Sequence, residues 1–456
     1  SFDIREGDFF AIIGHQFYLS EGCLYVTEQQ YIQTAFRMYK INQNSNALKY
    51  PRFIRNARQK YSLPKDTIEV LAPKSQTAEP KKNLIVTLIP ALSSLVLMVA
   101  LRGIMGGGGM FVLYSAGTMA VGAGMSVWTY FHDKKEYKEK KKEREEKYQA
   151  YLEVQERKIQ NLREKEESIL RMNYLSTEED VSLVNDFGSR LFERSMQDED
   201  FLEVYLGSGK VKSICQGKYK PQEYKDTEDE LLDYPQYLHD KYEYMEQAPV
   251  TVNLKRNSAV GVVGVRSKLY QILKNMVLDL TARQFYSEVK LYFIFAESDA
   301  PQFQWMRWFR HAYDERTDSR CFMYDEESSK FVLELLYSEL SRREGMSKEQ
   351  RQELAHYVIF VYRSQELVLH PAVKYIGRAK EYGFTFVFFE EHRELLHYGC
   401  EEVIFLEEGA WQGWLVKSAD GEKQQMFTYQ HIPGEAAEAC AKKLACVYVD
   451  EVSLEG

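Results

Sequence analysis

The chain has 456 residues, 45% of them hydrophobic, which is length for about three domains and ample material for a core. Its formal net charge of -9 excludes a dedicated nucleic-acid platform and disfavours DNA translocation, because counterion release needs a basic face turned to the phosphates. The six cysteines, Cys23, Cys215, Cys321, Cys400, Cys440 and Cys446, form no C-x-x-C and sit beside no His cluster at metal spacing, so they read as reduced structural thiols and not as a metal site.

The opening SFDIREGDFF starts inside a strand pattern and carries neither an initiator methionine nor a signal-peptide profile. The chain therefore reads as a piece of a longer protein. Over residues 1–75, Phe9, Ala11 and Ile13, then Phe17 and Leu19, then Leu24 and Val26 alternate with polar positions around Gly14 and Glu21-Gly22. That pattern predicts short antiparallel strands, a small β domain or its C-terminal part with a linker. Segment 76–132 holds two apolar runs, 84–101 and 110–131, joined by RGIMGGGG. Each run is near the roughly 20 residues that cross about 30 Å of hydrocarbon. The bland alternative is a pair of buried helices in a large soluble protein. Lys81 and Lys82 precede the first run, and Lys134, Lys135, Lys138, Lys140, Lys141 and Lys142 follow the second. Basic flanks lie on the cytoplasmic side, so the expectation is a two-span membrane hairpin with both termini cytoplasmic.

Residues 133–175 carry dense charge and, from 134 to 173, no proline or glycine, which predicts one long stalk helix. Tyr148, Leu152, Ile159, Leu162 and Ile169 recur on four- and three-residue steps, with Gln155 and Glu166 at the remaining seam positions. This weak heptad stripe suits a helix laid along its own domain as well as a coiled coil between subunits. After the N-cap signal at Ser176, residues 176–456 alternate strand candidates (250–254, 260–263, 289–296, 357–361, 384–389, 403–406) with helical stretches (269–285, 331–342, 372–382). Such alternation implies a mostly parallel, doubly wound α/β sheet. Residues 216–247, rich in Tyr, Asp, Glu and Lys, look like a long surface excursion.

Within that α/β region, GVVGVRSK from Gly261 to Lys268 follows a strand and opens a helix, the setting of a phosphate-binding loop G-x-x-x-x-G-K-[ST]. Gly261 and Gly264 are present, but Arg266 stands at the closing glycine and Ser267 at the lysine. Lys268 is one position late, about 100° round the helix. An ammonium and a phosphate charge 4 Å apart are worth about 4 kcal/mol at an effective dielectric near 20, so their loss should cripple triphosphate binding. A nucleotide site of this class also needs a hydrophobic strand ending in carboxylates for Mg²⁺ and water. The matching strand, 357–361, ends instead in Tyr362-Arg363-Ser364. Two glycines alone fit an ordinary strand-to-helix turn equally well. Taken with the lost carboxylates, they read as a nucleotide fold with degenerate motifs, and Arg266 is expected where the phosphates would lie.

The order of β segment, two-span hairpin, charged helix and eroded α/β domain resembles the EssC/YukB-type FtsK/SpoIIIE-family membrane ATPases of Firmicute type VII secretion systems. Two stretches carry the likeness. Arg190-Leu191-Phe192-Glu193-Arg194, followed by Asp198, Asp200-Phe201-Leu202 and Leu206-Gly207-Ser208-Gly209, is similar to the family's LWER…D.DFL..R.G.G run, with Phe192 for Trp and Tyr205 for Arg. Trp305-Met306-Arg307-Trp308-Phe309-Arg310-His311 is similar to its W..WLPH run. The resemblance implies that residues 1–75 are the end of a forkhead-associated domain and residues 176–456 a first, degenerate ATPase domain. It further implies a bacterial plasma-membrane location, homo-oligomers, other secretion-system membrane components as partners, and WXG100-type cargo moved by the parent protein. No cofactor is expected in this segment, ATP and Mg²⁺ belonging to further motor domains of the parent. The runner-up is an active NTPase that uses Arg266 or Lys268 as its phosphate cation and drives protein, less readily DNA, translocation.

Overall fold

The computed structural model describes residues 4–12, 15–26, 60–75, 109–221, 229–417 and 424–447, with the single positions 53, 55, 56, 58, 89, 93, 94, 96, 97, 100 and 449. Strands β1 (Phe9–Ile12), β2 (His15–Ser20) and β3 (Cys23–Val26) come first. Then come helix α1 (Gly109–Asn173), helix α2 (Thr177–Asn185), strand β4 (Glu203–Lys212), helix α3 (Tyr234–Lys241) and strand β5 (Tyr244–Asn253). The remainder runs β6 (Ala259–Val263), α4 (Arg266–Arg283), β7 (Val289–Ile294), β8 (Tyr313–Asp314), β9 (Ser319–Arg320), β10 (Phe322–Met323), α5 (Glu326–Glu344) and β11 (His356–Val361). It closes with β12 (Phe384–Glu390), β13 (Cys400–Leu406), β14 (Gln412–Lys417), β15 (Gln424–Thr428) and α6 (Gly434–Ala445). The chain divides into two compact units, one of residues 1–63, 167–212 and 245–456, the other of 64–166 and 213–244.

In the second unit the seam of α1 is covered by the chain's own segments. Tyr148, Leu152 and Ile159 are buried with Val70, Leu231 and Leu238, so this part of the stripe is covered by segments of the same chain, as expected of a helix laid along its own domain. Glu166 at the seam is buried, and it accepts from Ser213 Oγ at 2.6 Å, Ile214 N at 2.9 Å and Cys215 N at 3.3 Å. A buried carboxylate is tolerated there because three donors replace its water. The expected surface excursion at 216–247 is corrected in part, since α3 and the turn Glu230–Asp233 deliver Leu231 and Leu238 to that core. Their apolar side chains are too sparse among Tyr, Asp and Glu to show a period.

Two-thirds of the first apolar run, 84–101, falls outside the described residues, as does nearly all of the glycine-rich connection. The second run opens α1, where Gly117, Thr118, Gly122, Gly124, Ser126 and Thr129 dilute its hydropathy. Among the described residues no helix is long and apolar enough to cross a membrane. Of the expected β domain, the described residues hold a three-stranded antiparallel meander, with Phe9 facing Tyr18 and Phe17 facing Val26. That much does not establish a forkhead-associated domain.

The larger unit is organised by a ten-stranded sheet of order β10-β7-β11-β12-β6-β13-β14-β15-β4-β5. From β10 to β13 every pairing is parallel. Alternate residues of β11 enter opposite clusters: Val358 and Phe360 join the core that includes Leu269, Ile272 and Met276 of α4, while Tyr357, Ile359 and Val361 join Val332, Leu336 and Leu340 of α5. Burial on both faces is why these strands read as continuous apolar runs. Beyond β13 the sheet turns antiparallel through β14, β15 and β4, which corrects the mostly parallel expectation. Here Gly207 and Gly209 admit a close neighbour: a Cβ on Gly209 would lie 2.0 Å from the Met426 carbonyl oxygen, so only glycine allows that approach.

Candidate functional site at the strand ends

Parallel pairing lays β12 between β6 and β11, and so brings the carboxyl ends of three strands side by side. In open α/β sheets this is where ligands bind. Only Gly264 and Val265 separate the last residue of β6 from the first of α4. Gly261 lies inside β6, paired with Phe388 and Val403, and not in a loop. A Cβ there would meet Leu396 Cδ1 at 2.5 Å, and one on Gly264 would meet Leu406 Cβ at 2.9 Å. Close packing therefore accounts for both glycines. The Gly264 N–H, which a phosphate-binding loop would turn inward, donates to the Glu390 carbonyl at 3.2 Å.

The side chains that open α4 diverge. Arg266 lies 5.0 Å over the Tyr362 ring and donates through Nη1 to the Tyr362 carbonyl at 3.3 Å. The Tyr362 hydroxyl donates back to the Arg266 carbonyl at 3.1 Å. Arg266 Nε is 3.6 Å from Glu391 Oε1. Tyr362 is buried, and burial pushes its phenol up to about 12, so it stays a neutral donor. Ser267 is exposed. Lys268 turns the other way, donating to the Ala410 carbonyl at 3.0 Å with Nζ 3.4 Å from the centroid of the Trp411 ring. Arg363 donates to Gln365 Oε1 at 3.1 Å. The structure thus brings Gly264, Arg266 and Tyr362 together, with Gly261 one strand turn below, and sends Lys268 elsewhere.

The sequence reading passed over one pair of residues. A hydrophobic strand ending in two carboxylates is nonetheless present, since 384–389 runs into Glu390-Glu391. Glu390 accepts from Ser364 Oγ at 2.9 Å. Burial holds its carboxyl above the ordinary range, with Ser364 and Arg266 partly offsetting that effect. Among the described residues no three His, Cys, Asp or Glu side chains are grouped to hold a metal ion. An open groove of about 720 Å³ lies beyond β11, lined among others by Glu297, Tyr324, Lys330, Arg363 and Leu369. The run from Trp305 to His311 serves the core: Trp305 Nε1 donates to Tyr270 Oη at 2.9 Å. Burial drives the His311 imidazole down to about 3 beside the Gln284 carbonyl.

No protein-family model matches the chain. It is 25% identical over 351 residues to the ESX secretion system protein YukB of Bacillus subtilis, a match covering 76% of this chain and 23% of YukB. To the type VII secretion system protein EssC of Staphylococcus aureus it is 24% identical over 438 residues, covering 93% of this chain and 29% of EssC. The chain spans about a quarter of the length of the curated relatives it matches. A solved structure, the cytoplasmic domain of the Thermomonospora curvata type VII secretion ATPase EccC, aligns over 45% of this chain and 30% of that one at 14% identity, with a TM-score of 0.34, too slight a likeness to bear on the fold.

Proposed function

We propose that this chain, a homologue over most of its length of the type VII secretion proteins named YukB, EccC and EssC, is the anchoring and coupling part of such a protein, with an ATPase-like body that does no chemistry. One observation carries the reading: Arg266 and Tyr362, the residues at the two eroded motif positions, bond to each other across the strand ends. In this reading their mutual contacts stand in place of the γ-phosphate and Mg²⁺ contacts that a working site would make at those two motif positions. With the loop amide of Gly264 engaged by Glu390, neither the anion cradle nor the metal ligands are supplied.

In this reading no cofactor belongs to the segment, ATP and Mg²⁺ serve other domains of the parent protein, and WXG100-type cargo, fellow secretion components and copies of the same chain are its partners. The apolar runs 84–101 and 110–131 are its contact with the plasma membrane. On α1, Val121, Met125, Trp128 and Phe131 are exposed. Trp128 stacks on His132 at 5.1 Å, and Lys134 Nζ lies 5.8 Å over the Tyr130 ring. Exposed apolar side chains followed by an aromatic and basic collar suit the lipid interface. Expressed in bacteria, the chain is expected to stay with membranes through alkaline extraction and to be released when 84–131 are deleted; release of the intact chain contradicts the anchor. The alternative, an NTPase with a variant loop, draws on Glu390 and Glu391 beside Arg266. It requires steady ATP turnover that Gly264→Val abolishes.

A further inference from the structure

The function proposed above leaves the Arg190–Asp200 stretch without a task, although it holds three buried charged side chains. Leu191, Phe192, Phe201 and Leu202 are buried, and so are Glu193, Arg194 and Asp200. Phe192 and Leu202 are held at φ 56° and 59°, a left-handed conformation that non-glycine residues adopt only when their surroundings enforce it. Guanidinium contacts surround the stretch. Arg55 donates to the Phe192 and Arg194 carbonyls at 2.6 Å each and to Glu288 at 2.6 Å. Arg58 grips Asp200 with both nitrogens, and Asp198 accepts from the Ser195 N–H at 2.8 Å.

The stretch faces the last turn of α1. A helix C-terminus presents carbonyls with no intrahelical partner and the negative end of its dipole. Here three arginines meet it. Arg190 Nη2 donates to the Met172 carbonyl at 2.5 Å. Arg194 Nη2 and Arg283 Nη2 donate to the Asn173 carbonyl at 3.4 and 3.2 Å, and Asn173 Nδ2 donates to the Tyr61 carbonyl at 3.0 Å. Glu193 ties the arginines to one another, pairing with Arg190 at 2.8 Å and with Arg283. Arg283 faces Asp180 of α2 at 3.9 Å. The backbone is fixed to α4 as well, through Phe192 N–H to Ala282 O at 2.9 Å and Arg194 N–H to Arg283 O at 3.1 Å.

We propose that the Arg190–Asp200 stretch is a socket that locks the end of the long helix α1 to the sheet domain, with Arg190, Arg194 and Arg283 as positioning residues that grip its last carbonyls. The inference takes its purpose from the coupling role proposed above, since a coupling element needs the end of its helix firmly held. Its geometry stands apart from the crevice, whose residues it does not use.

Hydrogen exchange on the full chain tests it, read at residues 168–175 with β11 as internal reference. Arg190→Gln suits the experiment because its side chain is one-third exposed and its loss should leave the fold intact. The amides of the last turn, including Tyr174 N–H to Leu170 O, are expected to exchange about tenfold faster, the loss of one charge-assisted bond, with β11 unchanged. Arg194→Lys, which keeps the charge but not the fork, should loosen the same amides. Exchange at 168–175 within twofold of wild type in both variants overturns the socket. A rise spread equally over β11 also overturns it, because the residues would then be general stabilisers. A Mg-ATP titration of the same samples keeps the two readings apart: tight metal-dependent binding refutes the non-catalytic body and leaves the socket standing, whereas unchanged exchange without binding does the reverse.

Discussion

At its first turn α4 holds an exposed arginine against the face of Tyr362, whereas at its last turn it holds a fully buried one between Glu193, Asp180 and the end of α1. The same residue type on one helix therefore does unlike work. Arg266 can leave at small cost, because its side chain and that of Glu391 are each about half exposed and water replaces it there. Arg283 cannot leave so easily, because Glu193 would lose one of its two arginine partners and Asp180 the guanidinium that faces it, at positions closed off from water. Where charges are exposed, chemistry can be lost from a site at little cost to the fold; where they are interlocked, the arrangement is what the fold rests on.

Substitutions at the two ends of α4 break or sharpen that contrast. The largest effect is expected from Arg283→Met, which should cost about 3–5 kcal/mol in urea denaturation by taking from buried Glu193 one of its two arginine partners and from buried Asp180 the guanidinium that faces it; a loss comparable to that of an exposed residue would erase the contrast. An intermediate effect depends on pH. Burial, then the neighbouring Asp279 charge, hold Asp180 well above the ordinary carboxylate range, with Arg283 and Arg194 only partly offsetting them. A raised folded-state value means that the folded protein binds the proton more tightly, so this contribution is full below the ordinary carboxylate range and is lost as pH rises. Asp180→Asn should therefore gain melting temperature relative to wild type progressively as pH rises above about 4, the ordinary aspartate range, and a gap that narrows as pH rises would reverse the sign. The smallest effect is expected from Arg266→Ala, within about 0.5 kcal/mol of wild type.

Legibility followed the same divide. The parallel strands were readable because burial on both faces makes 357–361 and, Thr385 excepted, 384–389 nearly continuous apolar runs. The antiparallel half was not, because β4 pairs through Gly207 and Gly209, which look like turn residues until Met426 and Thr428 are seen against them. The divergence of Lys268 from Arg266 follows from helical pitch alone. Glu390 was hidden by attention to the wrong strand, since the order β11-β12-β6 sets which strand end borders the loop. Arg55 could not have been found, because it reaches Phe192 and Glu288 across 137 and 233 residues of chain with no local pattern to mark it. The Arg190–Asp200 stretch was visible as a motif, but its task depends on which carbonyls it faces.

The central claim is that the strand-end crevice does not take a nucleotide. Isothermal calorimetry of ATP into the purified chain, with and without Mg²⁺, tests it directly. The account predicts no saturable heat at millimolar ATP and no difference on adding the metal; micromolar binding that requires Mg²⁺ and disappears in Glu390→Gln would contradict it.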